Sequence, residues 1–440
     1  MVHFTKKFSD EQAMILETNV EVKQSIKLPK RLEELLHHRK RNKVCAYLCL
    51  GFLLSIIFAV IALGLTELLF FTLGKLDPSI PSVPCNRRIV GYYDLSSEID
   101  LSDKQFPLLT HVIFSPVDIQ SNGTLSIGEE NERKLVILVV KAKKFGLKTM
   151  FTTGDLKWND HRISPVVADE YKRKTLIQSI TAFVQKYKLD GVDVQWKFMR
   201  FKGDFAKLAN LCEDVRKSLD EATQSSNSPR FVMSIRSGST MLEHIRYDEI
   251  SRSVDFWNVE THSFYAHWHG NTGHLIGSQS ALYSGERNVN NTMKEYTCQT
   301  KNPQSLNMEI GFFGRYWNNV KKSKNSDETL WMTAEKVNGE VQGGFIPWRD
   351  FPHTEWNIST ASWDDDAKTP YIWNPDKRSY LSFENGKSVE EKMKYALDRN
   401  IGGITIFHLN LDDDQITLSK MIRNSKFCSA EMSNVVNYSC

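Results

Sequence analysis

Eight short apolar runs, most of them separated by longer stretches with helical spacing, constrain this chain more than any other feature. They are RIVGYY (88–93), LTHVIF (109–114), LKTMFT (147–152), LDGVDVQW (189–196), FVMSIR (231–236), VDFWNVE (254–260), NMEIGFF (307–313) and GGITIF (402–407). Helical periodicity is clearest at 130–145, 166–187, 203–222 and 388–400. Parallel neighbours need a crossover of a dozen residues or more, and helices supply it, so strands alternating with helices predict a parallel sheet. Eight such units predict a closed α/β barrel of the (β/α)8 or TIM type over residues 86–425. The spacing breaks once. Residues 318–387, with Gly343-Gly344, Trp348, Trp356, Trp363 and Trp373, come between strand 7 and the helix SVEEKMKYALDRN. They read as a small α+β insertion, and residues 426–440 as a C-terminal tail.

The N-terminal part obeys different physics. Residues 44–65, VCAYLCLGFLLSIIFAVIALGL, carry no charge. At ~1.5 Å per residue a helix of that length reaches about 33 Å, close to the ~30 Å hydrocarbon core of a bilayer. Seven Lys/Arg lie at 27–43, against Lys75, Arg87 and Arg88 at a similar distance downstream. The positive-inside rule then predicts a single-pass type II protein. Its parts are a cytosolic tail (1–43), a transmembrane signal anchor (44–65), a Pro-containing stalk (66–85), and a barrel in the lumen or outside the cell. A cleaved signal peptide has a shorter n-region and a shorter apolar run. Net charge is only +3, and much of the positive excess precedes residue 44, so nucleic-acid binding is not expected.

Sequons at Asn122, Asn290, Asn357 and Asn437 all fall on the lumenal side, as N-glycosylation requires. Cys45 and Cys49 lie in the anchor, where palmitoylation and plain packing are both open. Beyond it, Cys212 shares helical spacing with Phe205, Leu208, Val215 and Leu219 and is expected as a buried free thiol. Cys85, Cys298, Cys428 and Cys440 remain for two disulfides, with three connectivities open.

In LDGVDVQWKF, Asp193, Gln195 and Lys197 share one strand parity; Val192, Val194 and Trp196 share the other. The polar set therefore faces one side, toward the C-terminal strand ends where barrel chemistry sits. Here the chain resembles the chitinases and chitinase-like proteins of glycoside hydrolase family 18. LDGVDVQWKF resembles that family's D-G-x-D-x-D-W-E, TTGD its S-x-G-G, FGRYW its seventh-strand end and GGITIFHLNLDDD its eighth strand. The anchored layout looks most like the membrane-anchored chitinase-like proteins of nematodes, which suggests cuticle or defence biology.

The resemblance implies substrate-assisted hydrolysis. The signature Glu protonates the leaving oxygen, the substrate's acetamido group attacks the anomeric carbon, and the preceding Asp stabilises the developing charge. In this chain Asp190 and Asp193 are kept, but Gln195 stands for that Asp and Lys197 for the acid. Lysine, with an ordinary pKa near ~10.4, is a poor donor for this step. Losing a general acid costs ~10²–10⁴ in rate, and losing a preorganised electrostatic partner roughly 10²–10³. The family's M-x-Y-D becomes Glu260-Thr261-His262-Ser263, and the Trp that floors the central sugar becomes Phe407. These substitutions predict a pseudoenzyme whose partner is chitin or another N-acetylglucosamine-containing glycan. Residual glycosidase activity is the alternative, and a glycosyltransferase a third reading suggested by topology alone.

The candidate cleft residues are Tyr92, Trp196, Glu260, His262, Arg315 and Phe407, with Trp158, Trp268, Trp317 and Trp348 as further sugar-facing aromatics. A charge on an inward strand face must be paired or wetted, so Lys197 and Glu260 are expected to pair across the mouth. No metal or cofactor is expected. The histidines of HSFYAHWHG fit no ligand spacing, and Asp412-Asp413-Asp414 reads as structural.

Overall fold

The computed structural model describes residues 85–155, 163–196, 199, 202–226, 229–238, 242–321 and 332–440. Eight strands form the barrel: β1 (Arg88–Asp94), β2 (His111–Ile119), β3 (Lys148–Asp155), β4 (Gly191–Trp196), β5 (Val232–Ser237), β6 (Phe256–Val259), β7 (Leu306–Gly311) and β8 (Gly403–Phe407). Each is parallel to the next, and β1 pairs with both β2 and β8, which closes the cylinder. The expected (β/α)8 barrel is therefore present. Side chains of alternating parity divide into two sets. Val192, Val194 and Trp196 join the large apolar shell between strands and helices, while Val90, Tyr92, Ile113, Met150 and Phe256 fill a separate cluster.

The helices cover the barrel much as the periodicity predicts. The 166–187 pattern splits into Ile163–Ala168 and Glu170–Lys186, because the Asp169 side chain accepts from Lys172 N (3.0 Å) and starts a new helix. Helix Gly386–Asp398 opens on a capping box between Asn385 and Ser388. Helix Val289–Thr300 was not singled out from the sequence. Its buried stripe of Val289, Met293 and Tyr296 is interrupted by Asn, Thr, Lys and Glu, which dilutes the signal.

Two boundaries are corrected. The insertion begins at Phe313, not 318. The apolar run NMEIGFF ends β7 at Gly311 and runs directly into the first strand of a second sheet. A Cβ on Gly311 would meet the Phe313 ring at 2.4 Å, so the chain turns there without an obvious turn motif. That sheet is five-stranded and antiparallel, in the order Gly343–Pro347, Phe313–Trp317, Ser379–Phe383, Thr369–Asn374, Ser362–Asp364. Among its described residues only 3-10 turns accompany it, so the described part of the insertion is β, without the α element the sequence reading expects.

The two disulfides are Cys85–Cys428 and Cys298–Cys440, and Cys212 is a buried free thiol. They fasten the C-terminal tail beneath the N-terminal strand ends, where Arg87 donates to Glu431 O (2.8 Å), Gln304 to Ser433 O (2.8 Å) and Asn400 to Val435 O (2.9 Å). Among the described residues no helix is long and apolar enough to cross a membrane. The tail at 1–43, the run at 44–65 and nearly all of the stalk lie outside the described residues.

Candidate active site at the barrel mouth

Asp193 and Gln195 sit one pleat apart on the inward face of β4. Asp193 is fully buried. It accepts from Tyr92 Oη (2.6 Å), Ser234 Oγ (2.5 Å) and Asn258 Nδ2 (3.1 Å). Burial pushes its carboxyl above the ordinary value, against the hydrogen bonds from Ser234 and Tyr92 that hold it down. Burial, and then Asp193 itself, likewise raise the Tyr92 phenol. Asn258 passes the network on, accepting from Thr405 Oγ1 (2.7 Å) and Asn307 Nδ2 (2.9 Å). Gln195 is buried beside Gly154, whose φ of +153° and absent side chain are both required. A Cβ there would lie 1.5 Å from the Gln195 carbonyl oxygen.

Above this layer a second network fills the mouth. Arg236, at the end of β5, grips Glu309 of β7 in two bonds, Nε–Oε2 2.8 Å and Nη2–Oε1 2.5 Å. The same Nη2 lies 3.3 Å from Glu260 Oε2. His262 Nε2 meets Glu309 Oε1 at 2.6 Å, and Thr261 Oγ1 donates to the Glu309 carbonyl (2.5 Å). The Arg236 guanidinium lies 4.2 Å from the centre of the Phe407 ring. Burial alone would raise the Glu309 carboxyl, but the charge of Arg236 outweighs it and holds the group down to about 2. Burial also works against the Arg236 charge, and Glu309 with Glu260 overrides it, so this guanidinium stays protonated. Arg315 donates to Ser263 Oγ (3.2 Å).

Of the cleft candidates, Glu260, His262, Arg315 and Phe407 lie together at the mouth, and Tyr92 lies in the layer beneath it with Asp193. Trp196 joins neither: it is 3 % exposed and faces the helices with Val192 and Val194, the parity opposite to Asp193. Asp190 lies at the other end, before β4, and accepts from Thr149 N (2.8 Å) and Oγ1 (2.9 Å), so its role is to seat the strand. Trp317 is also removed from the cleft. It is buried in the insertion core and donates to Gly273 O (3.1 Å). Trp348 donates to Asp413 (2.9 Å), while Asp412 and Asp413 accept the backbone N–H groups that open helix Thr417–Asn424. Trp158 and Lys197 lie outside the described residues, and with Lys197 the expected Lys197–Glu260 pair. Glu309, Asn258 and Ser234 were not anticipated. Their only sequence signal is a polar residue inside an apolar strand.

Of the sequons, Asn122 and Asn357 are exposed on turns with their carboxamide oxygens engaged locally. Asn290 is half-buried near Tyr395, and Asn437 donates to Asp398 O (2.7 Å).

A closed parallel barrel with an inserted β-sheet and a polar network at its strand ends is a scaffold shared by many enzyme classes, and similarity of sequence gives the class. The chain belongs to the family described as glycosyl hydrolases family 18, whose model matches residues 88–412. It is similar to Chitotriosidase-1 of Mus musculus, 25% identical over 333 residues that cover 70% of this chain and 68% of the relative. It is also similar to Chitinase A1 of Niallia circulans, 25% identical over 299 residues. That match covers 62% of this chain and only 42% of the relative, so the chain spans less than half of that protein. A mutant class V chitinase from Nicotiana tobaccum, solved in complex with NAG4, shares the fold. Its TM-score is 0.69 at 17% identity, covering 77% of this chain and 98% of that one.

Proposed function

We propose that this chain is a chitinase-like pseudoenzyme that holds chitin or a related N-acetylglucosamine glycan without cutting it. The observation that carries this reading is the end of β4, where Gln195 and Lys197 stand in place of the charge-stabilising Asp and the acid Glu. The neighbouring carboxylates offer no replacement. A general acid must hold a proton near working pH, whereas Glu309 is held to about 2 by Arg236. Glu260 faces the same guanidinium at 3.3 Å. Burial makes Asp193 hold a proton more readily. It has no exposed surface, however, and its oxygens are engaged by Tyr92, Ser234 and Asn258, so it cannot reach a leaving oxygen. The ligand class comes from the chitinase relatives and from the NAG4 complex of the tobacco protein. Incubation of the full-length protein with chitotetraose is expected to release no product while the sugar still binds. Turnover at rates comparable to those of family hydrolases would refute the proposal.

The barrel is displayed on the lumenal or extracellular side of a membrane by the anchor at 44–65. Two disulfides suit an oxidising compartment. In isolated membranes, the Asn122 and Asn357 turns should carry glycan that peptide-N-glycosidase removes, lowering the apparent mass. A chain of unmodified mass with all its cysteines reduced would contradict that topology.

A further inference from the structure

Arg315 is a half-buried cation with a buried Nε and, among the described residues, no carboxylate partner. Its guanidinium carbon lies 4.0 Å from the centre of the Trp268 ring, 4.6 Å from that of Phe313 and 4.9 Å from that of Phe345. Its one hydrogen bond goes to the neutral Ser263 Oγ (3.2 Å). Its Nε is buried with no acceptor, and among the described residues no carboxylate comes within ion-pair distance. Burial pulls this guanidinium down to about 9, and the field of Glu260 restores only part of the loss. His267, whose ring centre is 4.9 Å from that of Trp268, also has a buried Nδ1 without a partner.

Desolvating an arginine is costly unless a counter-charge or hydrogen-bond acceptors replace the lost water. Aromatic faces replace only a part of it. The missing counter-charge has a visible origin. Ser263 holds the place where the M-x-Y-D pattern has its Asp, and that side chain faces Arg315. Meanwhile Trp268 is 41% exposed and Phe345 40% exposed. The site therefore offers flat aromatic surface beside a planar donor fork that suits a carboxylate or sulfate.

We infer that Arg315, with Trp268 and Phe345, forms an anion-reading subsite, and that the glycan held at this mouth carries an acidic group beside N-acetylglucosamine. The inference rests on the glycan-binding reading above and narrows its ligand class from neutral to acidic sugars.

The test compares three hexasaccharides on the full-length protein in detergent: chitohexaose, a hyaluronan hexasaccharide with alternating glucuronate, and 6-O-sulfated chitohexaose. At least one acidic probe is expected to bind tenfold or more tighter than chitohexaose, and the stronger of the two separates carboxylate from sulfate recognition. Raising NaCl should shrink that ratio. Ser263→Asp supplies an internal counter-charge. Residue 263 has φ +56°, a left-handed conformation that Asp tolerates better than most residues, so the variant should fold. Its acidic-to-neutral ratio is expected to fall close to one, as is that of Arg315→Gln. Equal affinities in the wild type, or an unchanged ratio in Ser263→Asp, would overturn the subsite while leaving glycan binding intact. Failure of all three probes to bind would overturn both.

Discussion

Arg236→Met is expected to destabilise the barrel by about 3 kcal/mol, and Glu309→Met by a similar amount, whereas the double substitution should cost far less than their sum. Both side chains are almost fully buried and hold each other through two short bonds. Removing one leaves the other's charge in a medium that solvates it poorly, which typically costs ~3–5 kcal/mol. Each survivor keeps a fallback, His262 for Glu309 and Glu260 for Arg236, so the lower end of that range applies. Urea midpoints of the three variants measure the cycle. Additive losses, or single losses under about 1 kcal/mol, would show that the pair does not hold the mouth together. The same bond sets an acid limit. The folded Glu309 sits at about 2, below its ordinary 4.5, so its contribution is fully present above about pH 4.5 and is lost as pH falls toward 2. Glu309→Gln should lack that portion of the acid sensitivity.

How far the sequence disclosed this site depends on whether strand parity or strand register carried the information. Parity is local, so the inward placement of Asp193 and Gln195 is readable from LDGVDVQW alone. It should also have excluded Trp196, whose place beside the signature residues drew it into the cleft set against its own parity. Register is not local. Arg236 and Glu309 lie on β5 and β7 and Glu260 directly follows β6, so only the pairing of β5 with β6 and β6 with β7 brings them together. From sequence, Lys197 in place of the acid and Glu260 in place of the Met are the conspicuous inward charges, which is why a pair between them is expected. That pair lies outside the described residues; what the structure adds is the Arg236 guanidinium beside Glu260, whose own main partner, Glu309, is hidden inside NMEIGFF. The insertion boundary shifted for a related reason, since a turn at Gly311 inside a continuous apolar run has no compositional mark.

On the proposed pseudoenzyme reading, the same geometry governs any attempt to install hydrolysis. Gln195→Asp/Lys197→Glu restores the two signature carboxylates, and by ordinary magnitudes it returns a general acid worth ~10²–10⁴ and an electrostatic partner worth roughly 10²–10³. We nevertheless expect the double variant to hydrolyse chitotetraose at least about 10³-fold more slowly than a family hydrolase. Residue 195 pairs in register with Arg236, so a carboxylate introduced there meets a cation that would neutralise it. That cation also lies 4.2 Å over the Phe407 ring, the position that the family resemblance assigns to the floor of the central sugar. While two bonds to Glu309 keep Arg236 on that face, no pyranose ring can stack on it. The glycan proposed above is therefore held on the outer aromatic surface of Trp268 and Phe345, and its central sugar is not seated over Phe407. Acid chemistry without a seated sugar loses the advantage of orientation, worth ~7–11 kcal/mol in well-aligned intramolecular cases. Adding Arg236→Met/Glu309→Met, which removes the plug as a neutral unit, should raise the rate of the carboxylate-restored protein by about tenfold or more, read as initial product release. If the carboxylate-restored protein already turns over at a hydrolase-like rate with Arg236 in place, then Gln195 and Lys197 alone account for the loss of activity, and the ion pair is not an obstacle.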